Sequence, residues 1–312
     1  MKRTLLFAFL FTLALAGTAS AAGKELNISY VKSPFNLQMI VMKEQGLLEK
    51  ELEPLGVTVN WPEITSGSKQ AQALASGDLD VAGVMNSTSL LMAAGEGLPI
   101  KVIAGVARPT DVFAILGRKG GPATIAELKG KTVAGPMGTV LHQLLVASLA
   151  KNGMTIKDVQ FTTMDIPQAF AALQGGKVDA ALMAANMVIK AEEEGAVKLA
   201  TATGYVVPKL GMMASEDFIT KRPEELKAVL AAHDKAWQWI EANHDEAIAL
   251  GAKVQGISVE DAQRLFDWSH FAQRMNQADL ESMKEDMQFL LDNDMMRGSV
   301  DVTTLVIPEA ME

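Results

Sequence analysis

The chain has 312 residues, no cysteine, and 28 basic against 37 acidic side chains, which gives a formal net charge of −9. The lack of cysteine excludes disulfides, cysteine-ligated zinc and thiol catalysis. The acidic balance argues against nucleic acid and anionic membrane surfaces as partners. A chain of this length can form one or two domains with an ample apolar core.

The first residues have the pattern of a secretory signal peptide. Lys2 and Arg3 precede an apolar run from Leu5 to Ala16, and Ala19-x-Ala21 follows as a cleavage signal. The apolar run is shorter than the about 20 residues that a membrane-spanning helix needs. We therefore expect residues 1–21 to be removed near Ala21, and the mature protein to be exported and not embedded in a membrane.

Strand-like and helix-like segments then alternate along the chain. β-Branched residues mark the strands, and glycines end several of the helices. The predicted strands of this first module are residues 26–31, 57–64, 79–85, 100–107 and 112–118, and its predicted helices are residues 36–48, 68–77 and 87–97. Such alternation predicts an α/β fold with doubly wound, mostly parallel sheets.

The pattern starts again at about residue 124, and helices dominate beyond about Tyr205. The segment "ALASGDLDVAGVMN" (residues 73–86) returns as "ALQGGKVDAALMAA" (residues 172–185), in both cases as a helix end, a turn and a strand. The echo indicates two similar lobes. A general feature of α/β chains is the alternative explanation, because glycine ends many helices and Val and Ala fill buried strands.

Ligands of open α/β sheets bind beyond the carboxyl ends of the strands. This rule selects six loops rich in Ser, Thr, Asn and Gly: residues 32–36, 65–68, 86–89, 135–139, 163–167 and 184–187. Each such residue can be a helix cap and nothing more, but several helix N-termini aimed at one cleft form an anion site. The charged candidates near the rim are Lys32, Lys69, Arg108, Asp111 and Asp165, and the aromatic ones are Phe35 and Trp61; Arg108 and Asp111 are close enough in sequence to pair with each other.

The order of these segments resembles the periplasmic solute-binding proteins of ABC importers, in the branch that includes binders of aliphatic sulfonates, taurine, nitrate and thiamine precursors. The resemblance covers nearly the whole mature chain, through "YVKSPFN", "EITSGSKQAQALASGDLDVAGV", "TIAELKGKTVAGPMGTVLHQLL" and "DLESMKEDMQFLLDNDMM". It implies a two-lobed periplasmic-binding-protein fold (Venus flytrap, type II), with residues 22–112 and 211–312 in lobe 1 and residues 113–210 in lobe 2.

The resemblance also implies a function without catalysis. A monomer without cofactor or metal would capture a small anionic or amphipathic solute in the periplasm and deliver it to the transmembrane permease of an ABC importer. The expected ligand-binding residues are Ser33, Phe35, Asn36, Ser66, Ser68, Asn86, Ser87, Thr88, Met137, Gly138, Thr139, His142 and Asn186. Residues 183–187 carry no aromatic and no charged side chain, so Met137, Met183 and Met187 are expected to form an apolar wall.

Two other functions stay open. The same fold can serve as a sensor that passes its ligand signal to a membrane receptor. An exported serine hydrolase is the second alternative, because Ser66-Gly67-Ser68-Lys69 fits the S-x-x-K nucleophile motif. The K-T-G partner of that motif is lacking, since Lys131-Thr132 continues with Val133, and the four histidines show no metal-binding spacing.

Overall fold

The structure, a computed structural model, describes residues 24–31 and 35–312, so the predicted signal peptide and Ser33 lie outside the described residues. The strands are β1 (Lys24–Asn27), β2 (Val57–Asn60), β3 (Val81–Asn86), β4 (Ile100–Ala107), β5 (Phe113–Gly117), β6 (Thr132–Gly135), β7 (Gln160–Thr163), β8 (Ala180–Ala184), β9 (Val197–Thr201) and β10 (Leu210–Ser215). The helices are α1 (Leu37–Glu44), α2 (Leu47–Leu52), α3 (Gly67–Ser76), α4 (Ser87–Gly95), α5 (Val140–Lys151), α6 (Ile166–Gln174), α7 (Asn186–Glu193), α8 (Glu216–Lys221), α9 (Pro223–Ala242), α10 (His244–Gln255), α11 (Val259–Ser269) and α12 (Gln277–Asp292).

The first sheet combines strands from both ends of the chain. β10 lies between β3 and β4 and is antiparallel to both. β1 pairs in parallel with β2, and a bridge between Ile28 and Val81 joins this pair to β3. The order is therefore β2-β1-β3-β10-β4. Helices α1 and α2 pack on α9, and α4 packs on α12, so the C-terminal helices complete the lobe built on this sheet, called lobe 1 here.

The second sheet has the order β7-β6-β8-β5-β9 and, with α5, α6 and α7, forms lobe 2. β6 is parallel to β7 and β8, whereas β5 is antiparallel to β8 and β9. Both sheets thus repeat one strand order, with the strand that crosses from the other lobe in fourth place. The repeated segments form β3 and β8, each beside its crossing strand, so they occupy equivalent positions in two similar lobes.

The sheets contain more antiparallel pairing than the sequence suggested. Among the ladders of the described residues, β1-β2, β6-β7 and β6-β8 are parallel, and the four ladders of β5 and β10 are antiparallel. The antiparallel ladders arise because β5 and β10 are the strands that pass from one lobe into the sheet of the other. A strand that enters a sheet from the neighbouring lobe comes without a crossover helix of its own, and only a crossover connection makes consecutive strands parallel.

Lobe 2 has apolar side chains on both faces of its sheet. Along β5, Phe113 and Ile115 join the large core that continues into lobe 1, whereas Ala114 and Leu116 join a smaller cluster with residues of α6 and α7. This alternation follows from the two-residue period of a strand. No helix among the described residues is long and apolar enough to cross a membrane.

Candidate ligand-binding site

A cavity of about 60 Å³ lies between the two lobes, at the carboxyl ends of β3 and β6. Lobe 1 contributes polar groups to its wall, and lobe 2 contributes most of the apolar ones. The lining residues are Val31, Thr65, Ser66, Gly67, Gln70, Val84, Asn86, Phe113, Pro136, Thr139, Val140, Leu141, Asp165, Ile166 and Leu210. The volume is well below the about 300–1,000 Å³ of pockets for drug-sized ligands, so the cavity suits a small group.

Four helices begin at this cavity: α3 and α4 from lobe 1, and α5 and α6 from lobe 2. Asn86 caps α4, because its side chain accepts a hydrogen bond from the N–H of Ser89 at 2.9 Å. Within the described part of the chain, the side chains of Ser66, Thr139 and Asp165 do not cap the helices that they precede. Three helix N-termini therefore keep N–H groups and partial positive charge for an anion.

A second, outer chamber of about 220 Å³ adjoins the cavity. The two spaces share Ser66, Pro136 and Asp165. At their junction Asp165 of lobe 2 accepts a hydrogen bond from Lys69 of lobe 1 at 2.8 Å, and both side chains remain solvent-exposed. The outer chamber leads to solvent past an ion pair that spans the cleft.

Hydrogen bonds between the lobes show that the cleft is closed. Ser89 of α4 donates its hydroxyl proton to the Gly138 carbonyl at 2.8 Å. Thr88 of α4 donates to the Gln143 side chain of α5 at 2.5 Å. Gly138 has a φ of 71°, which favours glycine and presents its carbonyl to lobe 1. The amino ends of α4 and α5 thus contact each other directly.

The structure brings several of the predicted residues to this site. Ser66, Asn86 and Thr139 line the inner cavity. Ser68 and Met137 line the outer chamber, and the Ser66 and Ser68 hydroxyl oxygens lie 2.9 Å apart. These positions agree with the rule that placed ligand loops beyond the strand ends, and their part in binding a ligand stays a prediction.

Other predicted residues lie away from the cavity lining. Phe35 is buried against Gly251 and Leu37, and the Asn36 amide donates to the Val31 carbonyl at 2.8 Å. Ser87 is buried, and its N–H donates to the Lys209 carbonyl at 2.9 Å. Thr88 is engaged by Gln143, as given above. The side-chain oxygen of Asn186, also buried, has no hydrogen-bond partner among the described residues. None of these five residues is among those that line the inner cavity.

His142 lies one residue beyond the lining residue Leu141, with its ring against Phe161 at a centroid distance of 5.0 Å. Neither ring nitrogen has a hydrogen-bond partner among the described residues. Burial lowers the pKa of His142 to about 4. The imidazole is therefore neutral at neutral pH and supplies no positive charge to the site.

The apolar wall is built differently from the sequence expectation. Met183 packs in the smaller core cluster on the far side of the lobe 2 sheet, and Met187 packs against that cluster. The reason is strand alternation, which turns Met183 away from Leu182 and from the cleft. Phe113, Val140, Leu141 and Ile166 supply the wall instead. The first three were missed because they belong to strand and helix starts outside the selected loops, and Ile166 lies in the selected loop 163–167 but was not among the expected ligand-binding residues.

Two of the remaining rim candidates, Arg108 and Trp61, have structural partners, whereas Lys32 lies outside the described residues. Arg108 pairs with Asp279 of α12 at 2.5 Å, not with Asp111. The Trp61 ring nitrogen donates to Glu49 at 2.8 Å, and its ring lies beside Tyr30. Gln70, also missed by the loop rule, lines the cavity one turn into α3, where its amide donates to the Val84 carbonyl at 2.9 Å.

The S-x-x-K segment does not form a catalytic pair. The Lys69 ammonium binds Asp165 across the cleft, and the Ser66 hydroxyl lies against Ser68. Among the described residues there is also no group of three or more His, Asp or Glu side chains able to hold a metal ion.

Comparison with known proteins gives a family match and close curated relatives. The sequence profile of the family described as NMT1/THI5 like matches residues 33–247. The taurine-binding periplasmic protein of Escherichia coli is 31% identical over 224 residues, which cover 67% of this chain and 68% of that protein.

Solved structures share the fold at lower sequence identity. The alkanesulfonate-binding protein SsuA of Xanthomonas axonopodis pv. citri, bound to MOPS, has a TM-score of 0.80 and 22% identity, and the match covers 91% of this chain and 98% of that one. The desulfurization enzyme DSZB has a TM-score of 0.66 and 15% identity, with 92% and 97% of the two chains covered. The chain therefore has the two-lobed periplasmic-binding-protein fold, which also occurs in an enzyme.

Proposed function

We propose, since this chain belongs to the NMT1/THI5-like family, that it captures a small organic anion in the periplasm and delivers it to the permease of an ABC importer. The relatives' names support this function, because the Escherichia coli relative is named as a taurine-binding periplasmic protein. Residues 1–21 would direct export, with cleavage near Ala21. The acidic surface and the closed two-lobed form fit a monomer that meets its permease only when loaded.

The observation that carries the proposal is the convergence of α3, α5 and α6 on one cavity without side-chain caps from Ser66, Thr139 and Asp165. Backbone N–H groups at helix starts bind oxyanions without a counter-charge from lysine or arginine. A sulfonate has three acceptor oxygens and stays ionised at every physiological pH. We infer that this group occupies the inner cavity and that its organic part faces Phe113, Leu141 and Ile166.

A ligand that contacts both lobes couples its binding to closure of the cleft. We assign residues 22–112 and 211–312 to lobe 1 and residues 113–210 to lobe 2; the strands of each sheet support this division, except that Leu210 already begins β10 of the lobe 1 sheet. A ligand held by α3 on one side and by α5 and α6 on the other binds the closed arrangement better than the open one. It therefore shifts the population toward the closed form.

Catalysis is the competing function, because DSZB shares the fold. Nucleophilic catalysis by serine needs a base within hydrogen-bond reach of the hydroxyl. The Ser66 hydroxyl contacts Ser68, and the nearby Lys69 ammonium is bound to Asp165. This arrangement favours reversible binding over hydrolysis.

The proposal is tested by thermal unfolding with paired ligands. Ethanesulfonate should raise the melting temperature, because a ligand at 100 times its Kd adds about 2.7 kcal/mol to the free energy of unfolding. Ethanesulfonamide, a neutral molecule of similar shape, is the matched control and should leave the melting temperature unchanged. Nitrate, pyrimidines, amino acids and aromatic acids complete the screen. If no compound shifts the melting temperature and native mass spectrometry finds no bound solute, solute capture is wrong.

A further inference from the structure

Four buried polar side chains form one hydrogen-bonded chain at the edge of the cleft. The Thr88 hydroxyl donates to Gln143 Oε1 at 2.5 Å, and Gln143 Nε2 donates to Asp286 Oδ1 at 2.7 Å. The Lys209 ammonium donates to Asp286 Oδ2 at 2.9 Å and to the Val207 carbonyl at 2.7 Å. Lys209 and Gln143 are each 2% exposed, and the Asp286 side chain is 12% exposed, so this row of hydrogen bonds is almost entirely buried.

Each hydrogen bond among Thr88, Gln143, Asp286 and Lys209 can have only one donor and one acceptor. Asp286 is an acceptor beside the Lys209 ammonium, so the Gln143 amide must turn its NH2 group toward Asp286. Its oxygen then faces Thr88, whose hydroxyl must donate. An amide is the side-chain group that donates on one side and accepts on the other while it stays neutral.

Gln143 is the member that lies on a helix of lobe 2, whereas Lys209 lies in the connection that leads directly into β10 of the lobe 1 sheet. Thr88 begins α4, Asp286 lies on α12, which packs on α4, and Lys209 immediately precedes β10. The amide at the end of the Gln143 side chain is therefore inserted into lobe 1, where it bonds to Thr88 and Asp286. When the lobes separate, the amide must leave both partners, whereas the bond between Lys209 and Asp286 can persist.

The row of hydrogen bonds from Thr88 to Lys209 is also connected to the ligand cavity. Leu141, two residues before Gln143, lines the cavity on α5, and Asn86, two residues before Thr88, lines it at the start of α4. The Lys209 carbonyl accepts a hydrogen bond from the N–H of Ser87 at 2.9 Å, so the first turn of α4 is held from both sides. The spacing of these two helix starts depends on the Gln143 amide.

We propose that Gln143 is a positioning residue that holds the lobes closed and sets the distance between the starts of α4 and α5 at the ligand. Asp286 and Thr88 are its hydrogen-bond partners in lobe 1, and the Lys209 ammonium holds the Asp286 side chain in place. A neighbouring chamber of about 320 Å³, lined by Tyr205, Glu285 and other residues, reaches Gln143 and Asp286. Water can enter there to solvate Asp286 when the amide withdraws, which makes the opening reversible.

The test uses Gln143→Glu, which converts the neutral amide into a carboxyl group of the same shape. Ionised, the new carboxylate faces Asp286 and Glu285 of α12, with Lys209 as the nearest cation and His142 neutral on α5. The like charges repel and should open the cleft at pH 8. Burial and the neighbouring Asp286 should raise the pKa of the new carboxyl in the closed form above the ordinary value for glutamate. Protonated at pH 5, it donates to Asp286 and accepts from Thr88 as the amide does, so the cleft should close again.

The native chain contains no cysteine, so two can be introduced for spin labels. Ala75→Cys on α3 and Ala171→Cys on α6 place labels at exposed sites of the two lobes. Without ligand, electron-spin distance distributions of the labelled wild type should contain the same share of the short, closed distance at both pH values. The Gln143→Glu chain should show mainly the longer distance at pH 8 and recover the short one at pH 5.

Gln160→Glu, an exposed position on β7, makes the same charge change in lobe 2 and should behave as the wild type at both pH values. A Gln143→Glu chain with the wild-type distance distribution at pH 8 overturns the proposal. Gln143→Met removes both hydrogen bonds without adding charge, and should open the cleft equally at pH 8 and pH 5. Circular dichroism checks that each variant is folded.

A second experiment, which measures ligand release, rests on the function proposed above. Gln143→Met should release ethanesulfonate about tenfold faster than the wild type, with an association rate within twofold, because the amide acts after the ligand has entered. An unchanged release rate argues against the positioning role. If ethanesulfonate binds neither protein, the proposed function fails for this ligand, while the spin-label distances still decide whether Gln143 holds the lobes.

Discussion

Asp165 is the charged side chain among the described lining residues of the inner cavity, and Lys69 of the other lobe neutralises it. A carboxylate repels a bound anion, so for the proposed anionic ligand we expect Lys69 to support binding, although exposed ion pairs add only about 0–1 kcal/mol to stability. At the level of single residues, the described lining of the inner cavity therefore contains one carboxylate, paired with Lys69, and no cation.

Lys69→Met should lower the affinity for ethanesulfonate by about threefold to tenfold, because it leaves Asp165 unpaired next to the sulfonate. The double variant Lys69→Met/Asp165→Asn should recover the wild-type affinity. Isothermal titration calorimetry measures both. Lys227→Met removes an equally exposed partner of Glu224, far from the cavity, and should change nothing. Equal affinity of Lys69→Met and the wild type would show that this ion pair has no part in binding.

At the scale of elements, the site is formed where the N-termini of several helices lie close together, and a glycine permits the close approach of α3 and α4. Gly67, the first residue of α3, lines the cavity. A Cβ at this position would lie 2.6 Å from the Ser89 hydroxyl oxygen and 2.8 Å from the Asn86 amide nitrogen. Both distances are too short for real contacts, so the starts of α3 and α4 fit together only with glycine here.

Gly67→Ala should therefore weaken ligand binding at least tenfold, although alanine is the better helix former by about 1 kcal/mol. The added methyl group displaces Asn86 and Ser89, and we expect a loss of about 1–3 kcal/mol of stability from overpacking. Calorimetric titration with ethanesulfonate and urea unfolding measure the two effects. Ser76→Ala, at the other end of α3, is the control. Wild-type affinity in Gly67→Ala would contradict the tight fit.

The two repeated segments show what a sequence pattern predicts about single elements and what it does not. The sequence identified the echo between residues 73–86 and 172–185, and these segments form β3 and β8 in equivalent places. It also suggested that their divergent ends, Asn86 and Ala184, give the ligand a polar and an apolar wall. Asn86 does line the cavity, but the apolar wall comes from Phe113, Val140, Leu141 and Ile166. Which strand ends face the cleft depends on how the lobes are joined.

At the scale of the whole molecule, each lobe buries a histidine that stays neutral. Burial lowers the pKa of His142 in lobe 2 and of His233 in lobe 1 to about 4. Asp234 and Arg274 have smaller, opposing effects on His233. In the unfolded chain both imidazoles take up a proton at about pH 6.5, so the unfolded state binds more protons between pH 6.5 and pH 4.

The free energy of unfolding should therefore be highest above about pH 6.5 and fall as the pH drops toward 4. Each histidine accounts for a loss on the order of 2–3 kcal/mol over this range, from about 1.36 kcal/mol per unit of pKa shift. Urea unfolding between pH 4.5 and pH 7 measures the slope. The double variant His142→Met/His233→Met should have a flatter profile, and an unchanged slope would show that other groups cause the acid loss.

The sequence by itself determined what depends on short-range pattern. Strand and helix alternation, glycine helix ends and the repeated segments predicted a two-lobed α/β fold, and the strand-end rule selected Ser66, Asn86 and Thr139. These features follow from backbone sterics and side-chain periodicity, which act over a few residues.

Only the tertiary structure decided which residues meet across the cleft. The pairing of Lys69 with Asp165 spans 96 residues of sequence, and that of Gln143 with Asp286 spans 143. Nothing in the local pattern around Gln143 distinguishes a buried amide from a helix-surface one. The contact exists because β5 and β10 carry the chain from one lobe to the other and bring α5 against α4 and α12. Such contacts are set by the packing of whole lobes, which a pattern of neighbouring residues does not encode.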